Sequence, residues 1–348
     1  MAGTVRGTLE TAVMTTTLVL ATVATAWSTG TVAAIRADSA AGQARSTTDQ
    51  TRLPVGDGKT VRTPTVGALW TCEQHFSGGG AHRQGPWMRD DGTFDLTAKA
   101  IVDGDVRWPH QLSITLTGTT RTVTGNGLPD HPTGIYPVAR SDDAYQYDRN
   151  PNTITAETLQ LSLPATPTLA AQPSCAPGAV GVLLSGSYLF NAVDAAGRDA
   201  VAHEAQDQCQ GHPAPRGTYH YHSLSLCLDS GDAAGHSPLM GYAFDGFGIY
   251  GFRGEDGAEL TNDNLDACHG HTHTVEWDGQ PVELFHYHAT QEFPYTVGCF
   301  RGRAAQVRPG GNGTGAGPSG AGAPGGPPPG GPGQPRPDGG MRPPPPPR

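Results

Sequence analysis

The chain has 348 residues, of which 36% are hydrophobic and 7% aromatic, with 49 Gly and 31 Pro. That composition leaves part of the chain outside any packed core. The formal charge is -10, and lysine occurs only at Lys59 and Lys99. An acidic chain without a basic stripe excludes a nucleic-acid partner, because phosphate binding needs clustered cations that displace counterions.

In chain order, Arg6 sits in a short polar segment ahead of an uncharged apolar and Thr-rich run, Ala12 to Trp27, and small residues follow at Ala33, Ala34 and Ala37. This pattern predicts a signal peptide over 1–37, removed on export, since the run is short for a membrane anchor. The mature chain is then expected to be secreted or held in the cell envelope, without stable membrane insertion. Residues 38–64 are small and polar and read as a linker. A single β-rich domain is expected over 65–305, giving a mainly β, disulfide-stabilised fold. Within it, Phe94 to Thr97, Ser113 to Leu116 and Val180 to Phe190 read as strands, Gly125 to Pro132 as turns, and Asp194 to Gln208 as holding a short helix. From 306 to 348 the chain is Gly, Pro, Ala, Ser and Arg almost throughout, which predicts a disordered, partly polyproline tail.

The C-terminal part of the domain repeats itself. Asp207, Cys209, Gly211, His212, then Tyr219-His220-Tyr221-His222 and Cys227, is followed by Asp266, Cys268, Gly270, His271, then Phe285-His286-Tyr287-His288 and Cys299. The offset is 59 residues at the Cys-x-Gly-His element and 66 at the His-Tyr-His element, so the second copy carries a seven-residue insertion. The copies span about 207–227 and 266–299. Six cysteines in an exported chain favour three disulfides. The repeat predicts Cys209–Cys227 and Cys268–Cys299, leaving Cys72–Cys175, with pairing across the copies as the competing arrangement.

In a strand, residues i and i+2 share a face. His220 and His222 therefore lie side by side, as do His286 and His288. Leu224, Leu226 and Leu228 would continue the first face, and Val282 and Leu284 the second, which turns the imidazoles inward. Buried imidazoles need partners. Two matched His-x-His pairs favour a metal over hydrogen bonds alone, because imidazole suits zinc and copper. His212 and His271, each after a Gly that would allow a tight turn, are the natural further ligands, and His236 is another. Packing about a pseudo-twofold axis would bring the two pairs together. His269 and His273 thicken the second copy. Between the copies, His236 to Gly251 reads as strand, Asp-Gly turn and strand, with Asp245 either a turn residue or a carboxylate facing the histidines.

The expected function is binding of a divalent transition metal, zinc or copper, outside the cytoplasm. Two alternatives stand beside it. One is a metal-dependent hydrolase with Asp245 or Glu283 as base, although the chain lacks a Gly-x-Ser-x-Gly elbow and a His-Glu-x-x-His helix; at His203-Glu204 the second His position holds Asp207. The other is a non-catalytic envelope or adhesion module.

Tyr219-His220-Tyr221-His222 resembles the motif that gives the YHYH family its name. The stretches Gly125 to Gly134, Tyr147 to Pro151, Asp194 to Asp199, His236 to Gly251 and Phe293 to Gly302 are similar to that family as well, so the resemblance spans roughly 65–302. The second copy departs from it at Phe285, where a Tyr is usual, which removes a hydroxyl and no imidazole. The resemblance implies an exported protein and a domain extent, and assigns no reaction.

Overall fold

Fifteen strands, one α-helical turn and three short 3-10 turns make up the regular structure of the computed structural model, which describes residues 47–225, 227–229, 235–307 and 309. The expected signal peptide and nearly all of the expected tail lie outside the described residues, as does Leu226. In chain order the elements are β1 (Leu53–Pro54), β2 (Thr60–Val61), β3 (Leu69–Trp70), β4 (Thr93–Phe94), β5 (Leu112–Thr117), β6 (Thr120–Gly125) and β7 (Leu159–Pro164). They continue with β8 (Ala179–Leu183), β9 (Tyr188–Phe190), helix α1 (Ala200–His203), β10 (Gly211–Pro213), β11 (Tyr219–Tyr221), β12 (Leu239–Ala243), β13 (Gly248–Tyr250), β14 (Gly270–Trp277) and β15 (Gln280–His288).

The fold is mainly β, as composition and patterning predict, and an eight-stranded sheet dominates it. Its strand order is β10-β11-β9-β8-β12-β13-β15-β14. The sequence of pairings is the same from either edge: an antiparallel outer pair, a parallel step, an antiparallel hairpin, and then the antiparallel β8–β12 pair at the centre. A second sheet, β5-β6-β7, is antiparallel throughout. In β7, Leu159, Leu161 and Leu163 are buried and alternate with exposed residues, the period-two pattern of a half-buried strand. Trp277 donates to the Ala165 carbonyl at 3.0 Å, and Arg121 pairs with both oxygens of Asp278. These contacts dock the tip of the β14–β15 hairpin on the smaller sheet. That hairpin turns through Asp278 and Gly279, both at positive φ, as a type I′ turn requires.

Three expectations change. The linker reading fails over its described part: Leu53 is buried and pairs with Phe94, and the Gly56 amide donates to Asp199 at 2.8 Å. Runs of two apolar residues are too short to register as strands, yet they pack. The strand expected over Val180 to Phe190 is two strands, because Gly186 at φ 90° turns the chain between β8 and β9. Strand Phe94 to Thr97 ends at Phe94, where the Asp95 side chain accepts from the Thr97 and Ala98 amides and closes a turn. Ser113 to Leu116 lies within β5, and the helix expected in 194–208 is the single turn α1. That turn is capped by Asp199, which accepts from the Val201 and Ala202 amides. The disulfides are Cys72–Cys175, Cys209–Cys227 and Cys268–Cys299, paired within the copies.

Candidate metal centres

The expected convergence of the two histidine pairs does not occur. Four strands separate β11 from β15. At about 4.8 Å per strand the pairs stand roughly 24 Å apart. Each instead gathers its own cluster at its own edge.

At the first edge, antiparallel pairing sets His212 on β10 directly opposite His220 on β11. His222 follows two residues later, just past the strand end, and all three are buried. The residue that caps α1, Glu204, completes the group: its Oε2 lies 3.4 Å from His212 Nε2 and 3.5 Å from His222 Nε2. His220 Nε2 and His222 Nε2 are 3.1 Å apart. Neither nitrogen of His212 has a hydrogen-bond partner, nor does Glu204 Oε2. A cavity of about 780 Å³ opens against this group, lined by all four residues together with Phe190 and the Gly78–Gly80 loop.

At the second edge, His271 on β14 faces His286 on β15, and His273 and His288 extend the two strands. His236, from the segment before β12, closes the cluster. The donor nitrogens of all five lie within 4.8 Å of one another. His236 Nε2 is 3.0 Å from His288 Nε2, and His273 Nε2 is 3.1 Å from His286 Nε2. His271 Nε2 is buried and unpartnered.

The other ring nitrogen decides what these close approaches mean. His222 Nδ1 donates to the Asn191 carbonyl at 2.5 Å and His288 Nδ1 to the Gly251 carbonyl at 2.7 Å. His286 Nδ1 donates to Leu284, His236 Nδ1 to Ser237 and His220 Nδ1 to Thr218. A neutral imidazole has one proton. With it on Nδ1, the Nε2 of each of these five rings is a bare acceptor, as is that of His273, whose Nδ1 meets the Thr274 carbonyl at 3.0 Å. Two bare acceptors at 3.0 to 3.1 Å have no hydrogen bond to share. Protonation is costly here: burial lowers His222 to about 4, His271 to about 4 and His286 to about 3, and holds His212, His220 and His288 well below the ordinary imidazole range. A cation held by the nitrogens resolves the conflict. With Zn–N bonds of about 2.0–2.1 Å, tetrahedral donors stand roughly 3.3 Å apart, close to the observed spacings. Carbonyl anchoring of the distal nitrogen is also how metal-bound histidines are ordinarily oriented.

Glu204 fits a donor role for the same reason. Burial pushes its pKa well above the carboxylate range, with Asp148 and Asp194 nearby adding to the shift, and a cation beside it would reverse that cost. Asp148 is already engaged, accepting from the Asn150 and Ala205 amides.

The expected ligands thus divide as His212, His220 and His222 against His236, His271, His286 and His288. Glu204 and His273 join them without having been singled out as ligands. His273 was legible, since His271-x-His273 repeats the period-two spacing that picked out the other pairs; Glu204 had no such signal. His269 belongs to neither cluster, its Nε2 meeting Thr290 Oγ1 at 3.1 Å. Asp245 is buried in the β12–β13 turn, accepting from the Tyr287 hydroxyl at 2.6 Å and the Gly302 amide at 2.9 Å, so it positions the second motif and does not face the histidines. Glu283 is exposed, two residues from Phe285 and so on the strand face opposite His286. Leu224 lies beyond the end of β11, so no strand continues the first face. Nor do Gly211 and Gly270 supply a tight turn: the left-handed backbone falls on the residues before them, Gln210 and His269. They are glycines because an added Cβ would meet the Tyr219 ring in one copy, and the Phe285 ring and the His286 carbonyl in the other.

The model of the YHYH protein family matches residues 160–261. The chain carries a YHYH domain. The matched span is narrower than the resemblance read over 65–302; it takes in β7 to β13, all four residues of the first centre, and His236 of the second. No curated protein and no solved structure matches the chain. The chemistry of this YHYH domain is therefore read from its own side chains.

Proposed function

We propose that this chain is an exported transition-metal protein that holds one ion at each edge of its large sheet. The observation that carries the proposal is the set of inward-facing Nε2 atoms whose protons are committed elsewhere, at both edges, by bonds from Nδ1 to backbone carbonyls. Export is supported by three disulfides, which persist in oxidising compartments, and by the N-terminal signal pattern. Among the described residues no helix is long and apolar enough to cross a membrane. The donors are imidazole and carboxylate, and with every cysteine in a disulfide no thiolate is present to select Cu(I). That set suits zinc or divalent copper.

The test is metal content by mass spectrometry on oxidised, untagged protein after loading with zinc or copper and desalting. Two equivalents are expected. His220→Ala/His222→Ala should lose one and His286→Ala/His288→Ala the other. Protein that stays metal-free after loading would overturn the proposal and leave the histidines as structural groups of an envelope module.

A further inference from the structure

The two edges do not offer an ion the same surroundings. We propose that the first ion keeps a coordination position open to the cavity and takes a small oxygen- or nitrogen-donor ligand there, whereas the second ion is saturated by protein; this rests on the metal reading above. The first centre has three imidazoles that converge, with the Glu204 carboxylate close to two of them, so a five-coordinate ion is left one position short even when Glu204 binds. All four residues line a cavity of about 780 Å³, within the range of small-molecule sites. The donors reach the ion from β10, from the end of β11 and from the cap of α1, so the ion lies against the sheet edge with the cavity as its free side. Two buried groups there lack a hydrogen-bond partner, the His212 ring, which can offer one nitrogen to an ion, and Glu204 Oε2. The second centre brings five imidazoles from β14, β15 and the segment before β12, enough to fill a four- or five-coordinate sphere alone. An open position beside a cavity is what separates a reactive metal site from a structural one. Within one sheet the first ion is therefore the one that meets substrate, and the second fastens the fold. The ligands the first site admits are monodentate or chelating donors of small size: water or hydroxide, carboxylates and hydroxamates.

The test uses the full oxidised protein loaded with copper(II) in two forms, His236→Ala/His271→Ala/His286→Ala/His288→Ala, which leaves one imidazole at the second edge, and His212→Ala/His220→Ala/His222→Ala, which leaves none at the first. Each is titrated with azide and then with benzohydroxamate while the ligand-to-metal charge-transfer band and the electron paramagnetic resonance spectrum are followed. The expected result is a saturable new band and shifted resonance with both probes at the first centre, and an unmoved spectrum at the second. Bound copper whose spectrum neither probe moves at the first centre would overturn this inference and leave the metal reading standing. Equal responses at both centres, or azide binding without benzohydroxamate, would also overturn it. Failure of either form to bind copper would count against the metal reading itself. Copper content, measured on the same samples, tells the two failures apart.

Discussion

At one edge of the large sheet His212 faces His220 across β10 and β11; at the other His271 faces His286 across β14 and β15. Behind each pair an aspartate holds the approach to the outer strand. Asp207 accepts from the Cys209 and Gly211 amides, and Asp266 from those of Cys268 and Gly270. Ahead of each pair the turn of a central hairpin receives the motif's second tyrosine: Ser185 meets the Tyr221 hydroxyl at 3.0 Å, and Asp245 meets that of Tyr287 at 2.6 Å. The backbone frame is common, and the difference lies in what hangs on it. Tyr219 gives its hydroxyl to Asp207 at 2.8 Å. Phe285 has none to give, and Asp266 pairs with Arg301 at 3.1 Å instead. The first edge ends in three imidazoles, a carboxylate and a cavity, and the second in five imidazoles. One frame thus supports two donor sets, so the tetrapeptide places a centre without fixing its composition.

Acid should separate the edges most. Burial lowers the pKa of the three rings at the first edge and of four at the second, with His222 at about 4 and His286 at about 3, while the same rings in the unfolded chain take protons near pH 6.5. A histidine pKa lowered by folding gives stability that is complete above about pH 6.5 and is lost as pH falls toward the folded value. The loss is up to about 1.4 kcal/mol per pH unit for each ring. With the ions chelated, the second edge has four such rings, His236, His271, His286 and His288, against three, so amide exchange in β14 and β15 should accelerate at a higher pH than in β10 and β11. Simultaneous opening would break the comparison.

Chelation at neutral pH comes next. An ion present at a thousand times its dissociation constant stabilises by about 4 kcal/mol, so removing both should lower the unfolding temperature by more than either double histidine variant does. A variant whose melting is indifferent to chelator would show that its remaining edge holds no ion.

The glycines allow a finer division. At Gly270 an added Cβ would stand 2.4 Å from the His286 carbonyl oxygen, which is backbone, whereas at Gly211 the nearest atoms all belong to the Tyr219 side chain. Both Gly→Ala changes should destabilise, by about 1–3 kcal/mol, with Gly270→Ala the worse. Denaturant midpoints would rank them, and the reverse order would mean that the Tyr219 ring cannot yield. The smallest effect expected is from Tyr219→Phe, about 1 kcal/mol for one hydrogen bond. It makes the first copy resemble the second but lacks the second's arginine. If it costs nothing, the Arg301 pairing is not a substitute for the missing hydroxyl.

Much of this frame was legible in the sequence. The cysteine pairs followed from their order within each copy, and the His-x-His pairs and the hairpin from His236 to Gly251 followed from period two and an Asp-Gly turn. The separation of the centres was not, because it depends on β9 and β13 pairing in parallel with the motif strands, and no spacing in the chain encodes which strands become neighbours. Glu204 was invisible among 32 acidic residues, since only the cap of a one-turn helix aims it at His212. Leu53 and Val61 were lost in a polar stretch for want of length.

The histidines occupy the two ends of the sheet, and those ends have a hazard of their own. An outermost strand presents unpaired amides and carbonyls to any other chain that can extend beside it, and sheets open from their margins before their centres. Here β10 is already covered, its Gly211 and Pro213 carbonyls accepting from Tyr136, Asn150 and Asn152, whereas β14 is tied back to β15 by the disulfide bracketing their hairpin and, under the proposed metal reading, by an ion whose donors sit on both strands. Metal starvation would then appear first as stickiness: a chain with a loosened margin at β14, joining edge to edge with its own copies while its interior stays intact.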